Sequence, residues 1–162
     1  MPYRITHRNL PQLFLKARDA LMAHFRPILN HFGVTEQQWR ILRALDEHGQ
    51  LEPRELCELC QILSPSMAGV LARMEELGLV ARQRMAADAR RVTVRLGDKG
   101  DRLIDEIAPL IEQQYRLMEQ TWGKPLVDGL TDALEGFIAA QETSVPQVAL
   151  PPGGRKGQQA DE

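Results

Sequence analysis

Arg82-Gln83-Arg84-Met85-Ala86-Ala87-Asp88-Ala89-Arg90-Arg91-Val92-Thr93-Val94-Arg95 is the stretch on which the reading of this chain turns. Five arginines, Arg82, Arg84, Arg90, Arg91 and Arg95, stand there against one acid, Asp88. The flanks alternate enough for two strands, Leu79–Met85 and Arg91–Leu96, with Ala86–Arg90 as the loop. Just upstream, Leu63-Ser64-Pro65-Ser66 opens a helix, with Ser64 as N-cap and Pro65 where a missing N–H costs nothing. Gly78 closes that helix. A helix able to enter a major groove, followed by a basic β-ribbon, is the layout of a winged helix-turn-helix. The expected fold is therefore mainly α with a two-stranded β wing, and the expected partner is double-stranded DNA.

Working outward, apolar residues recur at helical spacing from Leu10 to Phe32, predicting one helix closed by Gly33. Thr35-Glu36-Gln37-Gln38 is a capping box, opening a helix through Trp39, Ile41, Leu42 and Leu45 that closes near Gly49. Pro53 suits the first turn of a short helix whose inner face is Leu56, Leu59 and Ile62. In the helix after Ser64, the buried stripe is Val70, Leu71, Met74 and Leu77, which leaves Ser66, Gly69 and Arg73 facing outward. Downstream lie a long helix, Asp98–Trp122, with a kink expected at Pro109, and a last helix, Pro125–Ala140. The text then turns to Pro, Gly and Gln, a composition that predicts disorder. The outer helices carry more apolar surface than so small a DNA-reading lobe can cover, which points to a homodimer matched to a pseudo-palindromic operator. The expected division is residues 1–33 and 98–140 for helical dimerisation, 34–97 for the winged helix-turn-helix, and 141–162 as a disordered tail.

Bulk composition narrows the classes. The 162 residues suffice for one domain with a core, and 43 % are hydrophobic. A net charge of -2 excludes a general polyanion binder, so any DNA affinity comes from local clustering. No apolar run is long enough to span a bilayer and the N-terminus lacks a signal peptide's apolar segment, so the expected location is cytoplasmic. Cys57 and Cys60 form a lone CxxC, two soft ligands where a structural zinc needs four, and no histidine has matching spacing. No metal or cofactor is expected. No nucleophile elbow, phosphate-cradling glycine loop or HExxH occurs, so an enzyme is not expected.

The DNA-facing candidates are Ser64, Pro65, Ser66, Gly69 and Arg73 on the helix and Arg82, Arg84, Asp88, Arg90 and Arg91 on the ribbon. Arg90 is placed at the wing tip, in a minor groove, with Asp88 pairing to hold its direction. Arg82, Arg84 and Arg91 are read as phosphate contacts, and Arg95 as the weakest of the set.

Asp88-Ala89-Arg90-Arg91-Val92-Thr93-Val94-Arg95-Leu96-Gly97-Asp98-Lys99-Gly100 resembles the wing signature of the MarR family of bacterial transcriptional regulators, and the likeness extends over Leu10–Ala140. Gly97 stands where that family usually has threonine, which implies a weaker cap on the following helix. Phe25-Arg26-Pro27, Thr35-Glu36-Gln37-Gln38-Trp39-Arg40 and Ile62-Leu63-Ser64-Pro65-Ser66 are similar to the branch that regulates homoprotocatechuate (hydroxyphenylacetate) degradation. That resemblance implies a dimeric repressor relieved by a small aromatic acid. Such a ligand needs a cation for its carboxylate and an apolar slot for its ring, which singles out Arg18, Met22, Phe25, Trp39, Arg40 and Arg43. Trp39 and Arg43 are four apart and share a helix face. Two other readings stay open: a thiol-based oxidation sensor on the same fold using Cys57 or Cys60, and a helical protein-interaction module whose basic ribbon binds an acidic protein.

Overall fold

The computed structural model describes residues 4–153 of the chain. In chain order the elements are α1 (Leu10–Met22), α2 (Arg26–His31), α3 (Glu36–His48), β1 (Gln50–Leu51), α4 (Pro53–Cys60), α5 (Ser64–Glu76), β2 (Val80–Met85), β3 (Asp88–Leu96), α6 (Asp98–Trp122) and α7 (Lys124–Ala140). The fold is mainly helical with one small antiparallel sheet of order β1-β3-β2. Two compact units are distinguished, one ending at Met118 and the other beginning at Glu119.

The first unit holds the core. Leu29, Ile41, Leu42, Leu45, Leu56 and Ile107 are fully buried, joined by Met67, Leu71 and Met74 of α5 and Val94 of β3. α3 is the central helix. Its capping box forms as predicted: Gln38 N–H donates to Thr35 Oγ1 and Thr35 N–H to Gln38 Oε1, both at 3.1 Å. The second unit holds α7, none of whose residues is buried. Residues 144–150 have neither helix nor strand and are exposed, while the predicted tail from 154 to 162 lies outside the described residues.

Several expectations change. The single helix over Leu10–Phe32 is two, parted at Ala23-His24-Phe25. Pro27 accounts for the break: it has no N–H to give the carbonyl of Ala23, and its ring would clash with that carbonyl. Gly33 does close α2, at φ +66°, with Val34 N–H returning to Leu29 O at 2.9 Å. Leu63, not Ser64, is the N-cap of α5, and no side chain caps that helix. Met67 belongs to the buried stripe, whereas Leu59 is 52 % exposed rather than inward. α6 runs as one helix through Pro109.

The wing is tighter than read. Its turn is only Ala86-Ala87, so Arg90 lies within β3 and not at the tip. Arg84 pairs with Val92 but Met85 with Asp88, so Ala89-Arg90-Arg91 is a bulge in the ladder. Gly97 meets a steric requirement: a Cβ there would lie 2.4 Å from the carbonyl oxygen of Gly78, and one at Gly100 would lie 2.1 Å from that of Leu79. These contacts clamp the start of α6 against the turn that follows α5.

Candidate nucleic-acid interface and adjoining cavity

Every residue proposed for DNA on α5 and the ribbon is exposed. Met67, Leu71 and Met74 turn inward at helical spacing, which leaves Ser64, Pro65, Ser66, Gly69 and Arg73 on the outer side of α5. A cleft of about 360 Å³ between α4, α5 and β2 is lined by both Ser64 and Arg82, so α5 and the ribbon share a surface.

The arginines differ in freedom. Arg73 pairs with Glu76 at 3.1 Å and Arg82 with Glu75 at 3.2 Å. Arg91 pairs with Glu52, which also caps α4 by accepting from the Glu55 N–H. Arg95 donates to the carbonyl of Leu96 at 3.1 Å. Among the described residues, Arg84 and Arg90 have no ion pair. Asp88 does not pair with the Arg90 guanidinium as expected; its Oδ1 accepts from the Arg90 backbone N–H at 2.9 Å. A carboxylate bonded this way stiffens the bulge in the manner of an Asx-turn and leaves the arginine head unclaimed.

Arg18, Met22, Phe25, Trp39, Arg40 and Arg43 all line one cavity of about 340 Å³. Trp39 and Phe25 are buried core residues whose rings also form cavity wall. Sequence reading missed Tyr115, whose ring sits 4.9 Å from that of Phe25, and the acids Glu36 and Glu47. Spacing held a signal for Tyr115: it follows Ile104, Ile107 and Ile111 on the inward stripe of α6.

The cavity's cations are already engaged. Arg18 pairs with Glu36 at 2.8 Å, and Glu36 also takes Arg26 at 2.7 Å. Arg26, then Arg18, hold the Glu36 carboxyl below the usual carboxylate range. Among the described residues Arg43 pairs with Glu47 alone, at 3.0 Å and one helical turn away. Exposed pairs of this kind are worth little, so Arg43 is the cation released at least cost. Arg40 is held by backbone carbonyls: its Nη1 donates to Cys60 O at 2.5 Å. Cys60 is buried, and burial pushes its thiol up, away from thiolate reactivity.

Residues 32–91 match the model of the MarR family. The chain is 40 % identical over 134 residues to the HTH-type transcriptional regulator FarR of Neisseria gonorrhoeae, covering 83 % of this chain and 92 % of that one. The chain belongs to the MarR family. A second relative is the homoprotocatechuate degradative operon repressor of Escherichia coli, 39 % identical over 133 residues, covering 82 % of this chain and 90 % of that protein. A crystal structure of NadR in complex with 4-hydroxyphenylacetate superposes with a TM-score of 0.74 at 39 % identity, covering 85 % of this chain and 97 % of that one. This MarR-family chain is thus a winged-helix transcriptional regulator and not an enzyme. No helix among the described residues is long and apolar enough to cross a membrane.

Proposed function

We propose that the protein is a dimeric repressor that occupies a palindromic operator and is released by a small aromatic or phenolic acid. The observation that carries this reading is the cavity. It joins three arginines, Arg18, Arg40 and Arg43, to three aromatic rings, Phe25, Trp39 and Tyr115, in about 340 Å³. That volume lies at the lower end of small-ligand sites, and the wall matches a ring with one carboxylate. A related structure holding 4-hydroxyphenylacetate supports the same ligand class. Arg43 is the natural carboxylate partner, because turning from Glu47 costs it so little.

The dimer follows from uncovered apolar surface. Leu13 and Leu15 of α1 and Leu126, Leu130 and Ile138 of α7 are all 40 % exposed or more. Burying such faces against a second copy is the economical use of them, and it yields two recognition helices for two half-sites. On each, α5 would enter the major groove with Ser64, Pro65, Ser66, Gly69 and Arg73. Arg90 would reach the minor groove, and Arg82, Arg84 and Arg91 would take phosphates, Asp88 fixing the bulge behind them. Residues 1–33 and 98–140 serve as the dimerisation region and 34–97 as the DNA-binding region.

Calorimetric titration with 4-hydroxyphenylacetate tests the ligand half. Saturable binding to the wild type, weakened at least about tenfold in an Arg18→Ala/Arg43→Ala double variant, is expected, since a charge-assisted pair is worth about 1.5–3 kcal/mol. Unchanged binding in the double variant would remove both arginines from the site.

A further inference from the structure

Arg40 stands apart from the other cavity arginines. Arg18 and Arg43 face carboxylates, whereas the Arg40 guanidinium reaches the end of α4. Its Nη1 donates to Cys60 O at 2.5 Å and to Gln61 O at 3.4 Å. These carbonyls belong to the set a helix terminus leaves unsatisfied. Its Nε–H is buried with no acceptor among the described residues, so the group holds the turn through one nitrogen and has a donor to spare.

The turn it holds is the one between the two helices of the reading lobe. Gln61 is left-handed there, at φ +52°, and is the one positive-φ residue other than glycine among the described residues. A non-glycine residue keeps that conformation only where its surroundings impose it. The Gln61 and Ile62 N–H groups returning to Cys57 O and Gln61 Nε2 donating to Glu58 O at 2.7 Å are such restraints, and Arg40 adds one from outside the turn. Two residues on, α5 begins with Leu63 at its N-cap and no side chain capping it, so its first turn is tied to α4 through this turn. Leu59 and Cys60 of the same turn also line the cavity.

We propose that Arg40 is a positioning residue that couples cavity occupancy to the orientation of the recognition helix. The proposal rests on the effector reading above and concerns how that site is wired. A carboxylate entering the cavity draws on the guanidinium that now serves Cys60 and Gln61. Loosening that hold frees the left-handed turn and shifts α5. The ligand then favours a state in which Arg40 has left the carbonyls, the differential contact that any release mechanism needs.

The test uses the full chain, 4-hydroxyphenylacetate as probe, and a duplex that the wild type selects from a random pool. Ligand affinity is read by calorimetry and duplex affinity by anisotropy, with and without saturating ligand. The wild type should lose at least about fivefold in duplex affinity, the lower end of ordinary coupling. Arg40→Gln gives up the cation that the carboxylate draws on, so its ligand affinity should fall by about tenfold, and at ligand concentrations that saturate it, its duplex affinity should respond by less than about twofold. Arg40→Lys, which keeps one donor for a carbonyl, should fall between, and it carries the test if the glutamine variant does not fold. A response in both variants equal to the wild type's overturns the proposal. So does a full response from the glutamine variant once it is saturated with ligand, which would make Arg40 a simple ligand contact. A wild type that binds the duplex but does not respond to the ligand overturns the effector reading and this inference with it.

Discussion

Replacing Gly69 with alanine is predicted to make the folded chain more stable and its grip on DNA weaker. Gly69 lies in the interior of α5, where glycine costs about 0.8–1.0 kcal/mol relative to alanine. A Cβ added there meets no atom within 4 Å, so nothing inside the protein opposes the change. Unfolding should become harder by about 1 kcal/mol, which for a chain of this size raises Tm by about 2–4 °C. The side of α5 that would carry the new methyl also carries Ser66 and Arg73. If that face lies against base edges, the methyl holds the helix off the groove, and the loss of even one good base contact is worth about 1–3 kcal/mol. Operator affinity should fall by roughly 5- to 150-fold while the salt dependence stays as it was, because no phosphate contact is removed. Thermal unfolding and an anisotropy titration over several salt concentrations measure the two halves separately. A variant that is stabilised yet binds its operator unchanged would refute the placement of this face in the groove. A destabilised variant would refute the packing argument.

Other variants probe the wing, the clamp and the charge network. Arg90→Ala should weaken operator binding and flatten the salt slope by about 0.9 for each wing, with Arg102→Ala as an unaffected control; equal affinities would count against the wing assignment. Gly100→Ala drives a Cβ into the Leu79 carbonyl, backbone that no side-chain rotation clears, so destabilisation of about 3 kcal/mol is expected in chemical denaturation. A cost under about 1 kcal/mol would show that the clamp gives way easily. Glu36 is held low by Arg26 and Arg18, so the unfolded chain binds its proton more readily. Its contribution to stability is therefore complete above the titration of a free glutamate, about pH 4.3, and disappears as pH falls through the lower folded value. Glu36→Gln should flatten stability against pH in that window, and parallel curves for variant and wild type would contradict the network.

Much of the fold could be read from residues because local chemistry and tertiary demand agree. Thr35 and Gln38 cap α3 without outside help, and Gly33 and Gly78 end helices where only positive φ serves. What stayed hidden depended on distant partners. β1 is two residues long, too short for any alternation, and exists because β3 offers an edge. The bulge at Ala89-Arg90-Arg91 is a matter of register, which side-chain pattern does not record, so Arg90 was placed at the tip. Arg91 reads as a phosphate contact, and its pairing with Glu52, far upstream, is a tertiary contact that no local pattern signals. The six cavity candidates follow from resemblance and helix-face spacing, and Tyr115 is legible in the stripe of α6, while Glu36 and Glu47 join the cavity only through the packing of α3 against its neighbours.

The most direct test of a ligand-released operator repressor is one anisotropy experiment. The purified protein is titrated into a duplex from its own upstream region, with a scrambled duplex as control, each with and without 4-hydroxyphenylacetate at two salt concentrations. Tight binding to the native duplex alone, reversed by the ligand at both salts, is the predicted result. Equal, weak and salt-sensitive binding to both duplexes, indifferent to the ligand, would reduce the basic ribbon to electrostatics and contradict the account.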